Sequence, residues 1–265
     1  MRLGVIADVH ANLHALDAAL AFLSAQDVDG YLCAGDLVGY GPFPNECARR
    51  VAALGGVCVA GNHDLMALGR LDDGRCVPIA RTTMRWTRRA LDADARELLA
   101  DLPLSARRDD VAVHHGSVDD PEEYVLTADQ AHDCLDRLEG VAPGARILVL
   151  GHTHRAMAVG QRRGLLLREA TGVVALAPDE PMLLNPGAVG QSRSRDPRAR
   201  VMVLDLTERV ASFHALDYDV AACRRALRDR GLPEASCHLP PSRREQAIVA
   251  VRRRVGRVRT ALTRR

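Results

Sequence analysis

An α/β fold with two β-sheets is predicted by three features of the chain. Short apolar runs near the N-terminus each end in a polar loop and lead into a helical pattern, an alternation that gives parallel strands with helices laid on them. The strand and polar-loop unit returns near residues 111 and 146. After residue 155 helical spacing gives way to short strands separated by turns, so a second, more antiparallel sheet is expected.

Residues 3–7 form a buried strand that stops at Asp8-Val9-His10-Ala11-Asn12. Leu13, Leu16, Leu20 and Leu23 then recur three and four apart, which puts a leucine face on a helix ending near Ala25. Tyr31-Leu32-Cys33-Ala34 repeats the unit before Gly35-Asp36, and a helix is expected over 44–53. Val57-Cys58-Val59-Ala60 ends on Gly61-Asn62-His63-Asp64, read as a tight turn at a strand's end. Residues 77–101 are helical with a break near Asp92-Ala93-Asp94 and a stop at Pro103. Val111-Ala112-Val113 leads to His114-His115-Gly116-Ser117, and 128–138 is helical. Arg146 to Leu150 is a strand that leads to Gly151-His152-Thr153-His154. Strands are expected at 155–160, 165–170, 173–177, 182–185, 201–206 and 209–216, and a helix at 220–230. One domain therefore runs to about residue 218, with 77–102 either a helical cap over a site or a cover for the sheet. Residues 219–265 form a C-terminal helical extension with a basic tail.

With 265 residues, 47% hydrophobic composition and a formal net charge of +2, the chain is globular and no general polyanion binder. Every basic side chain is Arg, which excludes Schiff-base lysines and the P-loop lysine. Seven cysteines, none in a Cys-x-x-Cys spacing, argue against a disulfide framework or zinc knuckle and for a reduced, cytoplasmic home. The apolar start reaches Asp8 and His10 too soon for a signal peptide. No stretch is long enough to span a bilayer.

Five strand ends carry ligand-type residues: Asp8 with His10, Asp36, Asn62 with His63, His115, and His152 with His154. Asp-x-His and His-x-His each put two ligands on one side of an extended segment. Carboxylate, amide oxygen and imidazole without thiolate suit Mn, Fe, Zn or Ni. A shared carboxylate, for which Asp36 is the natural choice, bridges two ions roughly 3.5 to 4 Å apart, a spacing suited to displacement at phosphorus.

Asp8-x-His10, Gly35-Asp36, Gly61-Asn62-His63-Asp64, His115-Gly116 and Gly151-His152-Thr153-His154 together resemble the ordered signature of the calcineurin-like metallophosphoesterases, over residues 3 to about 216. Asn185-Pro186-Gly187 resembles the smaller bacterial and archaeal phosphodiesterase branch. The resemblance implies a four-layer αββα sandwich of two mixed β-sheets flanked by helices, with a dimetal site at strand ends. It implies that Asp8, His10, Asp36 and His154 surround one divalent ion and Asp36, Asn62, His115 and His152 the other, with manganese first in order and Fe, Zn, Ni or Mg as the others. It further implies His63 as the acid for the leaving oxygen and Asp64 as the residue orienting its ring. The implied reaction is hydrolysis of a phosphodiester or phosphomonoester by attack of a metal-bridging hydroxide.

Where the family has glycine after the first histidine, this chain has Ala11. His114 and His115 face opposite ways on a strand, and His115 is chosen because it precedes the glycine. Arg193, Arg195 and Arg198, with Ser192 and Ser194, form a loop that either binds phosphate or is simply solvated; Arg193 and Arg195 are the candidate substrate residues. From Ser242 to Arg265 nine arginines accompany Ile248, Val251, Val255, Val258 and Leu262 at three and four spacings. That helix would pack on the body, join a homo-oligomer, or contact nucleic acid or an anionic surface. The rival functions are a binding scaffold that has lost catalysis and a nuclease acting on DNA or RNA.

Overall fold

The computed structural model describes residues 1–239. In chain order the elements are β1 (Arg2–Ile6), α1 (Leu13–Ser24), β2 (Gly30–Cys33), α2 (Pro44–Ala52), β3 (Val57–Cys58), α3 (Asn62–Ala67), α4 (Pro78–Ala90) and α5 (Ala93–Ala100). Next come β4 (Ala106–Arg108), β5 (Val111–Val113), α6 (Ala128–Val141), β6 (Ile147–Val149), β7 (Met157–Gly160), β8 (Gly164–Arg168) and β9 (Gly172–Ala175). The last are β10 (Met182–Asn185), β11 (Ala199–Asp205), β12 (Val210–Leu216) and α7 (Val220–Asp229), followed by a short 3-10 turn at Glu234–Cys237.

One sheet has the order β3-β2-β1-β11-β12-β9 and the other β4-β5-β6-β10-β7-β8. Each is mixed: β3, β2 and β1 are parallel, as are β5, β6 and β10, while the remaining neighbours pair antiparallel. Two mixed sheets are as expected, but the late strands do not form a more antiparallel sheet of their own. The late strands divide between the sheets, with β10, β7 and β8 extending the second and β11, β12 and β9 extending the first. Strand order in the chain does not fix which edge a strand joins.

Side-chain alternation builds the layers. Leu3 and Val5 on β1 and Leu32 on β2 face the other sheet, where they meet Val111, Val113, Ile147 and Val149. Ile6 and Cys33 face outward onto Leu16, Ala19 and Leu23 of α1, as the period of two requires. Leu148 packs outward with Leu135 and Leu138 of α6. The result is four layers, helices outside two facing sheets. Helices α4 and α5 belong to the outer layer through Met84, Leu91, Ala95 and Leu99.

Helix α3 was not expected. Asn62, His63 and Asp64 are its first turn, after Gly61, so the residues read as a tight turn begin a helix instead. Their turn-forming character favours helix N-termini equally. The Arg-rich tail at 242–265 lies outside the described residues. Among those residues no helix is long and apolar enough to cross a membrane.

Candidate metal centre and the cavity above it

The parallel strands β1, β2, β5 and β6 all point their C-terminal ends at one place, where open α/β sheets keep their polar chemistry. Asp8 follows β1, Asp36 follows β2, His115 follows β5, and His152 with His154 follow β6. Facing ligand atoms of Asp8, His10, Asp36 and His154 lie within 4.8 Å of one another, and so do those of Asp36, His115 and His152. All are buried. His114 stays outside both groups.

The backbone that presents them is not extended. Asp8, His10, Asp36, His152 and His154 have φ of 53°, 46°, 56°, 62° and 59°, a left-handed region uncommon for residues with a Cβ. Paired ligands two apart therefore converge through tight turns, not by sharing a strand face. Ala11 also takes a positive φ, 52°, so the residue where the family has glycine retains the glycine conformation. Backbone N–H groups of Asp8, His10 and Ala11 donate to the carbonyls of Gly35, Asp36 and Leu37 at 3.0, 2.9 and 2.9 Å, which locks the first ligand loop onto the second. Strain of this kind is held only where the surroundings over-determine it.

Each imidazole is oriented from behind. Nδ1 of His10, His115 and His154 faces a main-chain carbonyl, those of Val38 (3.1 Å), Ala34 (2.6 Å) and Gln191 (2.6 Å). A carbonyl only accepts, so each Nδ1 carries the proton and Nε2 points inward. His152 is reversed: Nε2 donates to the Glu122 carbonyl (3.0 Å) and Nδ1 points at Asn62 Oδ1 (3.1 Å).

The inward nitrogens of His10 and His154 are acceptors facing each other. His10 Nε2 and His154 Nε2 are 3.0 Å apart, and burial, ahead of any neighbouring charge, holds both rings well below the usual histidine pKa. Two neutral rings so tautomerised put lone pair against lone pair. Asp8 Oδ2 is buried with no hydrogen-bond partner among the described residues. His152 is lowered to about 3, chiefly by burial and then by the charge of His115. His115 alone goes up, to about 9: burial opposes its charge, but the carboxylates of Asp36 and Asp8 outweigh it. Burial likewise works to raise Asp36, yet His115, His63 and His10 hold it well below its ordinary value. The cluster's nitrogen and oxygen donor set fits divalent ions.

Asp36 also bonds outside the cluster, its Oδ1 accepting from the N–H of His63 at 2.8 Å. A Cβ on Gly61 would meet that carboxylate, so glycine is required before Asn62. Asp64 does not orient the His63 ring. Its Oδ1 accepts from Leu37 and Val38 N–H (2.9 and 3.1 Å) and its Oδ2 from Gly61 N–H (3.0 Å). It ties the Asp36 loop to the start of α3, so any effect on His63 passes through backbone. The ring of His63 is set instead by packing against Tyr40 and His10, with centroids at 4.9 and 4.8 Å. A Cβ on Gly39, whose φ is +87°, would come within 2.5 Å of His63 Nδ1. Burial lowers His63 to about 4, with the Asp36 carboxylate working in the opposite direction.

Above the cluster lies a cavity of about 450 Å³ whose lining includes Asn62, His63 and His152. Arg193 reaches it, with Nη1 donating to the Tyr124 hydroxyl at 2.9 Å and Nε to Gln191 Oε1 at 3.3 Å. Arg195 does not line the cavity and is exposed, and Arg198 is bound to Asp196. Of the expected 77–102 cap, only Val77 and Ala80 reach the cavity. The sequence reading missed Tyr40, Tyr124, Arg155 and Leu239 in the lining. It also missed how Asn185 works: Nδ2 donates to the Gly151 carbonyl (2.6 Å) and Thr153 Oγ1 (3.1 Å), which holds the His152 and His154 loop. The Asn185-Pro186-Gly187 motif was the available signal.

Residues 1–209 match the calcineurin-like phosphoesterase superfamily domain. A metallophosphoesterase from Sphaerobacter thermophilus is 34% identical, with a TM-score of 0.78 over 89% of this chain and 97% of that one. A hypothetical protein from Pyrococcus horikoshii OT3 is 17% identical but shares the fold, with a TM-score of 0.74 over 89% and 96% of the two chains. An uncharacterized protein of Methanocaldococcus jannaschii is 29% identical over 238 residues, 88% of this chain and 94% of that protein. With its buried Asp and His cluster at the ends of parallel strands, this chain belongs to the calcineurin-like phosphoesterase superfamily.

Proposed function

We propose that the protein is a two-metal phosphoesterase that hydrolyses a phosphodiester or phosphomonoester. The observation that carries this reading is the burial together of Asp8, His10, Asp36, Asn62, His115, His152 and His154 at strand ends, where His10 Nε2 meets His154 Nε2, His152 Nδ1 meets Asn62 Oδ1, and Asp8 Oδ2 has no hydrogen-bond partner among the described residues. Asp8, His10, Asp36 and His154 would hold one ion, and Asp36, Asn62, His115 and His152 the other. Bound there, divalent ions supply Lewis-acid polarisation of a phosphoryl oxygen and a water of lowered pKa. Manganese is the first choice for this donor set, with Fe, Zn, Ni or Mg as the others.

The chain's own groups complete the site. His63 lines the cavity beside Asn62, and although burial keeps its ring neutral near neutral pH, its remaining N–H is the proton available to the departing ester oxygen. Its neighbours Tyr40 and Gly39 fix where that proton stands. Arg193, which donates to the neutral oxygens of Gln191 and Tyr124, is the guanidinium that binds non-bridging phosphoryl oxygens.

Chelator-treated protein is expected to be inactive on nitrophenyl phosphoesters and to recover with manganese. His63→Asn should retain its metal while kcat falls by about 100-fold or more, the usual size of a general-acid contribution. Full turnover in chelator would refute the reading.

A further inference from the structure

The floor and wall of the cavity differ in chemistry. The floor carries Asn62, His63 and His152, whereas the wall mixes the charged Arg75, Glu122 and Arg155 with Val77 and Ala80 from the start of α4 and Tyr124 from the loop before α6. Val77 is 55% exposed and Tyr124 42%. Apolar groups left open in the lining of a polar cleft suit the apolar part of a ligand.

Tyr124 is not a loose surface side chain. Its ring packs on His152 with centroids 4.1 Å apart at 41°, and its hydroxyl accepts from Arg193 Nη1. A ring held at one face and at its tip is a rigid platform, which is what aromatic stacking needs. The cavity's volume of about 450 Å³ falls in the range of clefts that take an organic ligand, roughly 300 to 1,000 Å³. A phosphoryl group on the floor leaves most of it for the ester group.

We infer that this wall is a subsite for the ester group of the substrate, and that this group carries an aromatic ring stacked on Tyr124 and flanked by Val77. The inference rests on the phosphoesterase reading and narrows its substrate to small-molecule phosphoesters of ring-bearing alcohols. Arg193 joins the two halves, since it bonds the Tyr124 hydroxyl while reaching the phosphoryl position.

The test is calorimetric titration of the manganese-loaded full chain with methylphosphonate and with naphthylmethylphosphonate, whose C–P bonds are not hydrolysed. The naphthyl compound should bind about tenfold tighter or better, the size of a single stacking contact. Tyr124→Phe should keep that preference, and Tyr124→Ala should reduce it to within about threefold. Metal content is measured on every variant because Tyr124 leans on His152. Val77→Asp, at an exposed position, supplies a second variant and should lower the preference without touching a ligand. Equal affinity for both phosphonates in the unaltered protein, or a preference that survives both Tyr124→Ala and Val77→Asp, overturns the inference. Nitrophenyl ester turnover is followed in parallel. Ring-selective binding without turnover supports the subsite and sinks the phosphoesterase reading, whereas turnover without ring selectivity sinks the subsite alone.

Discussion

Asp8, Asp36, His115 and His152 each follow a parallel strand by two or three residues, while Val77, Tyr124, Arg193 and Leu239 come from separate segments outside the strands. The first set is fixed by sheet pairing and by hydrogen bonds between ligand loops. The second is assembled from parts that meet only in the finished fold. Arg193 stands on a loop clasped by the C-terminal segment, where Leu239 N–H donates to the Ser192 carbonyl (2.9 Å) and His238 Nε2 to that of Ser194 (2.9 Å). The floor therefore tolerates little change. The wall is where relatives with one chemistry can differ in substrate.

The sharpest test of this contrast is Asp36→Ala. Losing a partner one bond away from a metal commonly costs about 10- to 100-fold, and Asp36 belongs to both ligand groups, so hydrolysis should fall by more than that. Elemental analysis should show both ions depleted. Two retained ions would break the account of the floor.

Asp64→Ala should act on the fold before it acts on chemistry. It strips acceptors from the N–H groups of Leu37, Val38 and Gly61, of which a buried orphan costs about 1 to 3 kcal/mol. Thermal unfolding should register a loss of about 3 kcal/mol or more. A fully stable variant with a slow chemical step would restore Asp64 as a direct partner of His63. Smaller still is the effect at the wall. Arg193→Ala should lower kcat/KM by about 10- to 100-fold, the value of a charged hydrogen bond, with metal content unchanged. Arg195→Ala should stay within about twofold; a large effect there would move the substrate position outward.

The sequence disclosed the floor because its ligands sit beside strands whose apolar pattern is plain. Strands β1, β2, β5 and β6 and helices α1, α2, α6 and α7 fell near the residues where spacing put them. Helix α3 escaped because six residues are too few to show a helical period and Asn-His-Asp serves turns as well as helix starts. Asp64 was misread because adjacency to His63 in sequence says nothing about where a carboxylate is spent. Left-handed backbone at five non-glycine ligand positions has no sequence mark at all. Arg193 and Arg195 look alike in sequence, and only the loop's course separates the one that reaches the cavity. Tyr124 and Val77 lack any motif, since a lone aromatic or valine gains meaning from what stands near it.

Those five left-handed positions also bear on what holds the site in shape. The turns that present them are held by protein groups alone, such as the bonds from Asp8, His10 and Ala11 to the Asp36 loop and the carbonyls behind each imidazole. Any ion bound there would meet ligand turns that the main chain already braces, unlike small zinc domains whose folding waits for metal.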